Sequence, residues 1–216
     1  MIVPMGHARL GRLLLQPAKD CAGALVGLEI IYAGPDVSPG NDIALFTDKL
    51  ALLAQSELFF IRRELTAWIA ITPAIAAALN TDAALLASAR RFPFLALLVS
   101  EDFSDPALLE GLRQHFPLVL ANFGAGDAAP GFAFSGLFSA VFFDAAFIHR
   151  QISRASFTPF MRALMAQMAP AFSAVMAAGV DDRFTLERLM PWGLHAMKGT
   201  LWPAVEVEHL TQLVQE

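Results

Sequence analysis

Short runs of apolar, β-forming residues recur along the chain: Leu13 to Leu15, Ala24 to Tyr32, Trp68 to Ile71, Phe94 to Val99, Leu118 to Ala121, Ala140 to Phe143 and Ala174 to Ala177. A strand with one wet face alternates apolar and polar residues, whereas a strand buried on both faces reads as an unbroken apolar run. These runs are of the second kind. Helical patterns separate them: Asp42 to Thr66, Pro73 to Leu79, Asp82 to Arg91, Pro106 to His115, Pro159 to Met168 and Thr185 to Met190. Several open on a proline behind a capping residue, as at Thr72-Pro73 and Asp105-Pro106. Strand and helix in alternation predict a β/α barrel or an open parallel sheet, and periodicity does not choose between them. At 216 residues the chain reads as one domain, 1–216. Gly34 to Gly40 and Gly124 to Gly131 are loops rather than linkers.

Hydrophobic residues make up 56% of the chain and charged residues 16%, with a mean hydropathy of +0.53. Such values raise the question of a membrane span. The most apolar windows, Gly131 to Ile148 and Ala163 to Val180, are broken by Ser135, Ser139 and Asp144, and by Gln167, Pro170 and Ser173. A span requires about 20 residues without such breaks, so no membrane association is expected. The start, Met1 to Arg9, lacks the pattern of a secretory signal, and a cytoplasmic location is expected. The single Cys21 is read as a small buried or half-buried thiol. A net charge of -5 without a basic run argues against direct nucleic-acid binding.

Chemistry-bearing patterns are sparse. The five histidines, His7, His115, His149, His195 and His209, form no ligand-spaced pair. His195 reads as a core or rim residue. Ser135 precedes Gly136 but has Ala133 where a nucleophile elbow needs its first glycine. Phe142-Phe143 and Met161, Met165 and Met168 have the spacing of core residues.

One ordered series of segments is more informative: Gln16-Pro17, Val26 to Ile31 (VGLEII), Ile69 to Pro73 (IAITP), Leu97 to Glu101 (LLVSE), Leu118 to Gly126 (LVLANFGAG), Phe142 to Phe147 (FFDAAF), Met176 to Asp181 (MAAGVD) and Met197 to Leu201 (MKGTL). In this order they resemble the YQPI, VGFEAL, VNVSP, LEITE, DDFGTG, KIDRSF, VAEGVE and QGY segments of the EAL-domain cyclic di-GMP phosphodiesterases. The resemblance implies an EAL-like, TIM-type β/α barrel. In the active enzymes two divalent cations activate a water, and such hard cations need a cluster of oxygen ligands to lower the water's pKa from about 15.7.

Against that pattern Glu29 is kept, but the ligand asparagine is Ala70, the first LEITE glutamate is Leu98 and the aspartate pair is Ala121-Asn122. The catalytic lysine is Phe142, the VAEGVE glutamate is Ala178 and the QGY glutamine is Lys198. Asp144, Glu101 and Asp181 match family acids without restoring the ligand set. The resemblance therefore implies a protein with no catalytic, metal-binding or cofactor-binding residues, and Glu29 is read as a hydrogen-bonded acid lining the barrel mouth.

Two readings of function follow. Phe59-Phe60-Ile61, Leu65 to Trp68, Pro117 to Leu120 and Leu194 to Val205 resemble a degenerate, regulatory branch of the family more than its enzymes. That resemblance implies capture of the FlhD subunit of the flagellar transcription activator FlhDC, keeping the complex off DNA. The alternative is a receptor that binds cyclic di-GMP without hydrolysing it. Its phosphate-binding arginine is Ala33 here and its lysine is Phe142. Loss of two charge-assisted contacts at roughly 1.5–3 kcal/mol each weakens binding about a hundredfold or more, with Lys198 left to return one cation. Asp127 to Pro130 departs from the family's YSSL sequence, which places family-type dimerisation in doubt.

Overall fold

A computed structural model describes residues 11–34, 41–126 and 130–214. Met1 to Arg9, most of the Gly34 to Gly40 loop and Asp127 to Ala129, for which the sequence raised expectations, lie outside the described residues. The apolar runs become strands of one closed barrel: β1 (Arg12–Lys19), β2 (Leu25–Ala33), β3 (Thr66–Ile71), β4 (Leu95–Ser100), β5 (Leu118–Phe123), β6 (Ala140–Phe143), β7 (Ala174–Ala177) and β8 (Ala196–Met197), each paired with the next. From β2 to β8 neighbouring strands are parallel, while β1 runs antiparallel to both β2 and β8. Of the two parallel architectures the sequence allowed, the barrel is the one formed.

The helices are α1 (Asp42–Arg62), α2 (Pro73–Thr81), α3 (Ala83–Arg90), α4 (Ala107–Leu112), α5 (Pro130–Ala133), α6 (Ala145–Ile152), α7 (Phe157–Ala171) and α8 (Arg183–Leu189), with 3-10 turns at Met190–Trp192 and Val207–Val214. Side chains start several of them. Thr72 Oγ1 accepts from Ile75 N at 3.4 Å, Asp82 from Ala84 N at 2.8 Å, Asp144 from Phe147 N at 2.8 Å and Asp182 from Thr185 N at 2.7 Å. Each satisfies an orphan N–H of a first turn.

Packing on both faces of the sheet explains the unbroken runs. Ala96 and Leu98 of β4 point into the lumen with Ala18, Trp68, Val119, Phe142 and Met176. Leu95, Leu97 and Val99 point outward into the larger core beneath the helices, which includes Phe46, Phe60, Phe143, Ile148 and Met161. Met161 and Met168 are buried there and Met165 packs against it, as their spacing indicated.

Three expectations need correction. The helix read as Asp42 to Thr66 stops at Arg62. Leu65 N bonds Phe60 O at 3.0 Å and Glu64 N bonds Ile61 O at 3.3 Å, with Glu64 at φ 54°. This is a left-handed helix stop without the glycine that announces one. Second, β8, α5 and α6 were missed: β8 because two residues leave no pattern, α5 because its four residues begin within the stretch read as the Gly124 to Gly131 loop, and α6 because it follows β6 after one residue. Third, Cys21 is exposed. It sits in the β1–β2 turn, where Asp20 Oδ1 accepts from Ala22 N and Ala24 N at 2.8 and 2.9 Å and Gly23 takes φ 84°.

One charge lies on the wrong side of a helix. Lys49 is on the barrel-facing stripe of α1 and is 8% exposed. Burial pushes its ammonium below the usual 10.5, and the charge of Glu29 pulls it partly back. A folded-state pKa below the unfolded one means that the burial cost is fully present at neutral pH and is relieved as pH rises toward 10.5. Lys49→Met is expected to stabilise the protein by about 1–3 kcal/mol at pH 7. The gain should shrink near pH 10 in urea melts, and an unchanged or lower midpoint at pH 7 would refute it.

Candidate functional site

The site indicated by the sequence is the barrel mouth, where the carboxyl ends of the parallel strands meet. β2 and β3 place Glu29 beside Trp68, and β1 places Gln16 beside Glu29. Trp68 reaches across the lumen to Phe142 of β6, edge to face, with ring centroids 5.5 Å apart at 84°. Above this aromatic floor the Lys198 ammonium lies 4.4 Å from the centre of the Phe142 ring and forms an ion pair with the Glu29 carboxylate. Both side chains are largely withdrawn from water, at 14% and 16% exposure. Glu29 thus lines the mouth as expected, with Lys198 as its partner.

Lys198 is aimed by its backbone. Its N–H donates to Ala177 O at 3.0 Å and its carbonyl accepts from Val180 N at 3.1 Å. Gly199 follows, and a Cβ there would stand 2.2 Å from Val180 O, so no side chain fits. Gln16 Nε2 donates to Gly199 O at 3.2 Å and to Trp202 O at 2.7 Å. Asp181 accepts from Thr200 N at 2.8 Å and from Thr200 Oγ1 at 2.9 Å. The Thr200 backbone N–H holds the Asp181 carboxyl below its usual 3.8; burial opposes it, and the Thr200 hydroxyl and His149 add to the lowering. His149 Nε2 lies 2.8 Å from Gly179 O and 3.2 Å from Asp181 Oδ2, tying α6 to the same turn.

The other family acids are also structural. Glu101, 8% exposed, accepts from Gly124 N at 3.3 Å and Gly126 N at 3.4 Å and shapes the loop after β5. Asn122 takes φ 58°, a left-handed conformation that asparagine tolerates. Gly124, at φ 92°, lies so close to Phe147 that a Cβ would stand 2.7 Å from its ring. Asp144 caps α6. Sequence reasoning did not foresee the Glu29–Lys198 pair, although the opposite charges at two mouth positions were its signal. Arg150, which donates to Gly124 O at 3.1 Å, left no signal at all.

This donor set does not fit a dinuclear metal site. Ala70, Leu98, Ala121, Phe142 and Ala178 offer no side-chain oxygen, and the Glu29 carboxylate already faces an ammonium. Among the described residues no group of three or more His, Cys, Asp or Glu is placed to hold a metal ion. The Lys198 charge is in turn offset by Glu29. Removing one member of a withdrawn pair leaves the other uncompensated, whereas removing both does not. Lys198→Met is therefore expected to cost about 2–4 kcal/mol, and Glu29→Leu with Lys198→Met about 1 kcal/mol or less. Equal losses in the single and double variants by chemical denaturation would contradict this account.

No protein-family model matches the chain. The chain is 38% identical over the full length of both proteins to the anti-FlhC(2)FlhD(4) factor YdiV of Salmonella arizonae. The corresponding protein of Escherichia coli K12 is 36% identical over 92% of this chain and 93% of its own. Among solved structures, the EAL-like domain protein YdiV superposes with a TM-score of 0.86 at 34% identity, covering 95% of this chain and 97% of that one. The EAL domain of Mycobacterium smegmatis DcpA superposes with a TM-score of 0.78 at 15% identity over the same shares, a likeness of fold alone. With its EAL-like barrel and full-length identity to regulatory proteins, the chain belongs to the family of the YdiV anti-FlhC(2)FlhD(4) factors.

Proposed function

We propose that this protein is a regulator that captures the FlhD subunit of the FlhC(2)FlhD(4) activator, keeps the complex off DNA and hydrolyses no cyclic dinucleotide. The observation that carries this reading is the 38% identity, from end to end of both chains, to proteins named anti-FlhC(2)FlhD(4) factors. The barrel mouth supports it chemically. An ammonium paired with the one retained acid, above a floor of Phe142 and Trp68, offers an attacking water neither a metal nor a free base. We place the protein in the cytoplasm with the activator. Among the described residues no helix is long and apolar enough to cross a membrane.

Size-exclusion chromatography of the protein mixed with FlhC(2)FlhD(4) is expected to give a stable complex at micromolar concentration, and gel-shift assays a loss of promoter binding by the activator. Separate elution of the two would sink the proposal. Titration with cyclic di-GMP is expected to release no heat, and incubation with magnesium or manganese no linear product. Heat that disappears in Lys198→Ala would instead support the receptor reading.

A further inference from the structure

α1 is apolar on the face turned away from the barrel as well as on the face turned toward it. Phe46, Leu50, Leu53 and Phe60 are buried against the sheet. On the opposite side Leu58 is 65% exposed, and Ile61 and Ile43 at its edge are 50% and 42% exposed. Ala44, Thr47, Ala51 and Ala54 are exposed between them. Positions 44, 47, 51, 54, 58 and 61 step alternately by three and four residues, the spacing of a helix-packing seam. Thr47 fits an apolar seam because its hydroxyl already donates to Ile43 O at 2.9 Å. An apolar stripe of this length on the outer face of a helix is normally covered.

We propose that a second copy of this chain covers this face, with the two α1 helices packed antiparallel about an axis beside residues 55 and 56. In that register Leu58 meets Ala54 of the second copy and Ile61 meets its Ala51, so each large side chain faces a small one. A parallel pairing would stack Leu58 on Leu58 and Ala51 on Ala51, which demand different helix separations. Charge selects the same register. Asp48, Gln55 and Arg62 flank the seam at seven-residue intervals. The antiparallel pairing sets Asp48 against Arg62 of the second copy, twice, and Gln55 against Gln55. Asp48 and Arg62 are both exposed and have no hydrogen-bond or ion-pair partner among the described residues. On the other flank Glu57 is already neutralised by Arg91 at 2.7 Å, so it does not repel its counterpart.

One helix pair buries less than the roughly 1,200–2,000 Å² of a standard stable interface, so the dimer is a weak one. Sedimentation velocity of the full chain from about 1 to 200 μM, the range for so small an interface, is expected to show reversible dimerisation. Leu58→Glu should weaken it about tenfold or more by placing two carboxylates in the seam. Asp48→Arg and Arg62→Asp should each weaken it, and the double variant should restore it. These side chains are exposed, and unchanged thermal melts would show that the fold persists. A monomer at every concentration, or a dimer indifferent to Leu58→Glu, would overturn the proposal. So would a monomer whose binding to FlhC(2)FlhD(4) is lost in Leu58→Glu, which would assign the face to the activator.

Discussion

Closure of the sheet between β8 and β1 is the constraint on which the rest of the molecule depends. The seam is short. Lys19 pairs with Met197, and farther along β1 a bridge joins Leu15 to Val205, with paired N–H to O distances of 2.8 and 3.0 Å. Between these two points the chain from Lys198 to Ala204 folds over the barrel mouth, and Gln16 fastens it by two carbonyls. Because β1 runs against its neighbours, its middle faces this turn and supplies the glutamine from inside the barrel. An open sheet of the same strands would leave Lys198 with nothing to reach.

Once the barrel is closed, its interior must be filled, and Trp68 and Phe142 fill it with ring against ring. Aromatic packing of this kind offers none of the oxygen ligands that hard cations need. Lys198 completes the change. Its charge offsets Glu29, and the Phe142 ring below it favours a cation. The remaining family acids keep structural duties, Glu101 under the β5 loop, Asp144 at the start of α6 and Asp181 under the Thr200 turn. The frame of the fold persists because those contacts concern backbone N–H groups rather than ligands.

A mouth occupied in this way directs attention to the outer surface. The outer face of α1 is unusual because it carries large apolar side chains at positions where solubility favours charge, while a charge, Lys49, sits on the inner face of the same helix. The pattern along α1 therefore reflects demands beyond packing onto the barrel.

Unbroken apolar runs revealed doubly covered strands, since only burial on both faces removes alternation, and the ordered motifs identified the barrel and the lost ligands. The cap at Thr72 was equally legible, because a cap is a local hydrogen bond between near neighbours. Elements without a local signature were not: β8 is two residues long, α1 ends on Glu64 rather than glycine, and Cys21 is exposed because of a turn built by Asp20 and Gly23. The sequence by itself determined the residue types at the mouth, with Ala70, Leu98, Ala121, Phe142 and Ala178 at positions where the resemblance places side-chain ligands and the catalytic lysine. Only the tertiary structure decided what stands there instead, because Glu29 and Lys198 lie 169 positions apart and meet only when β8 closes against β1.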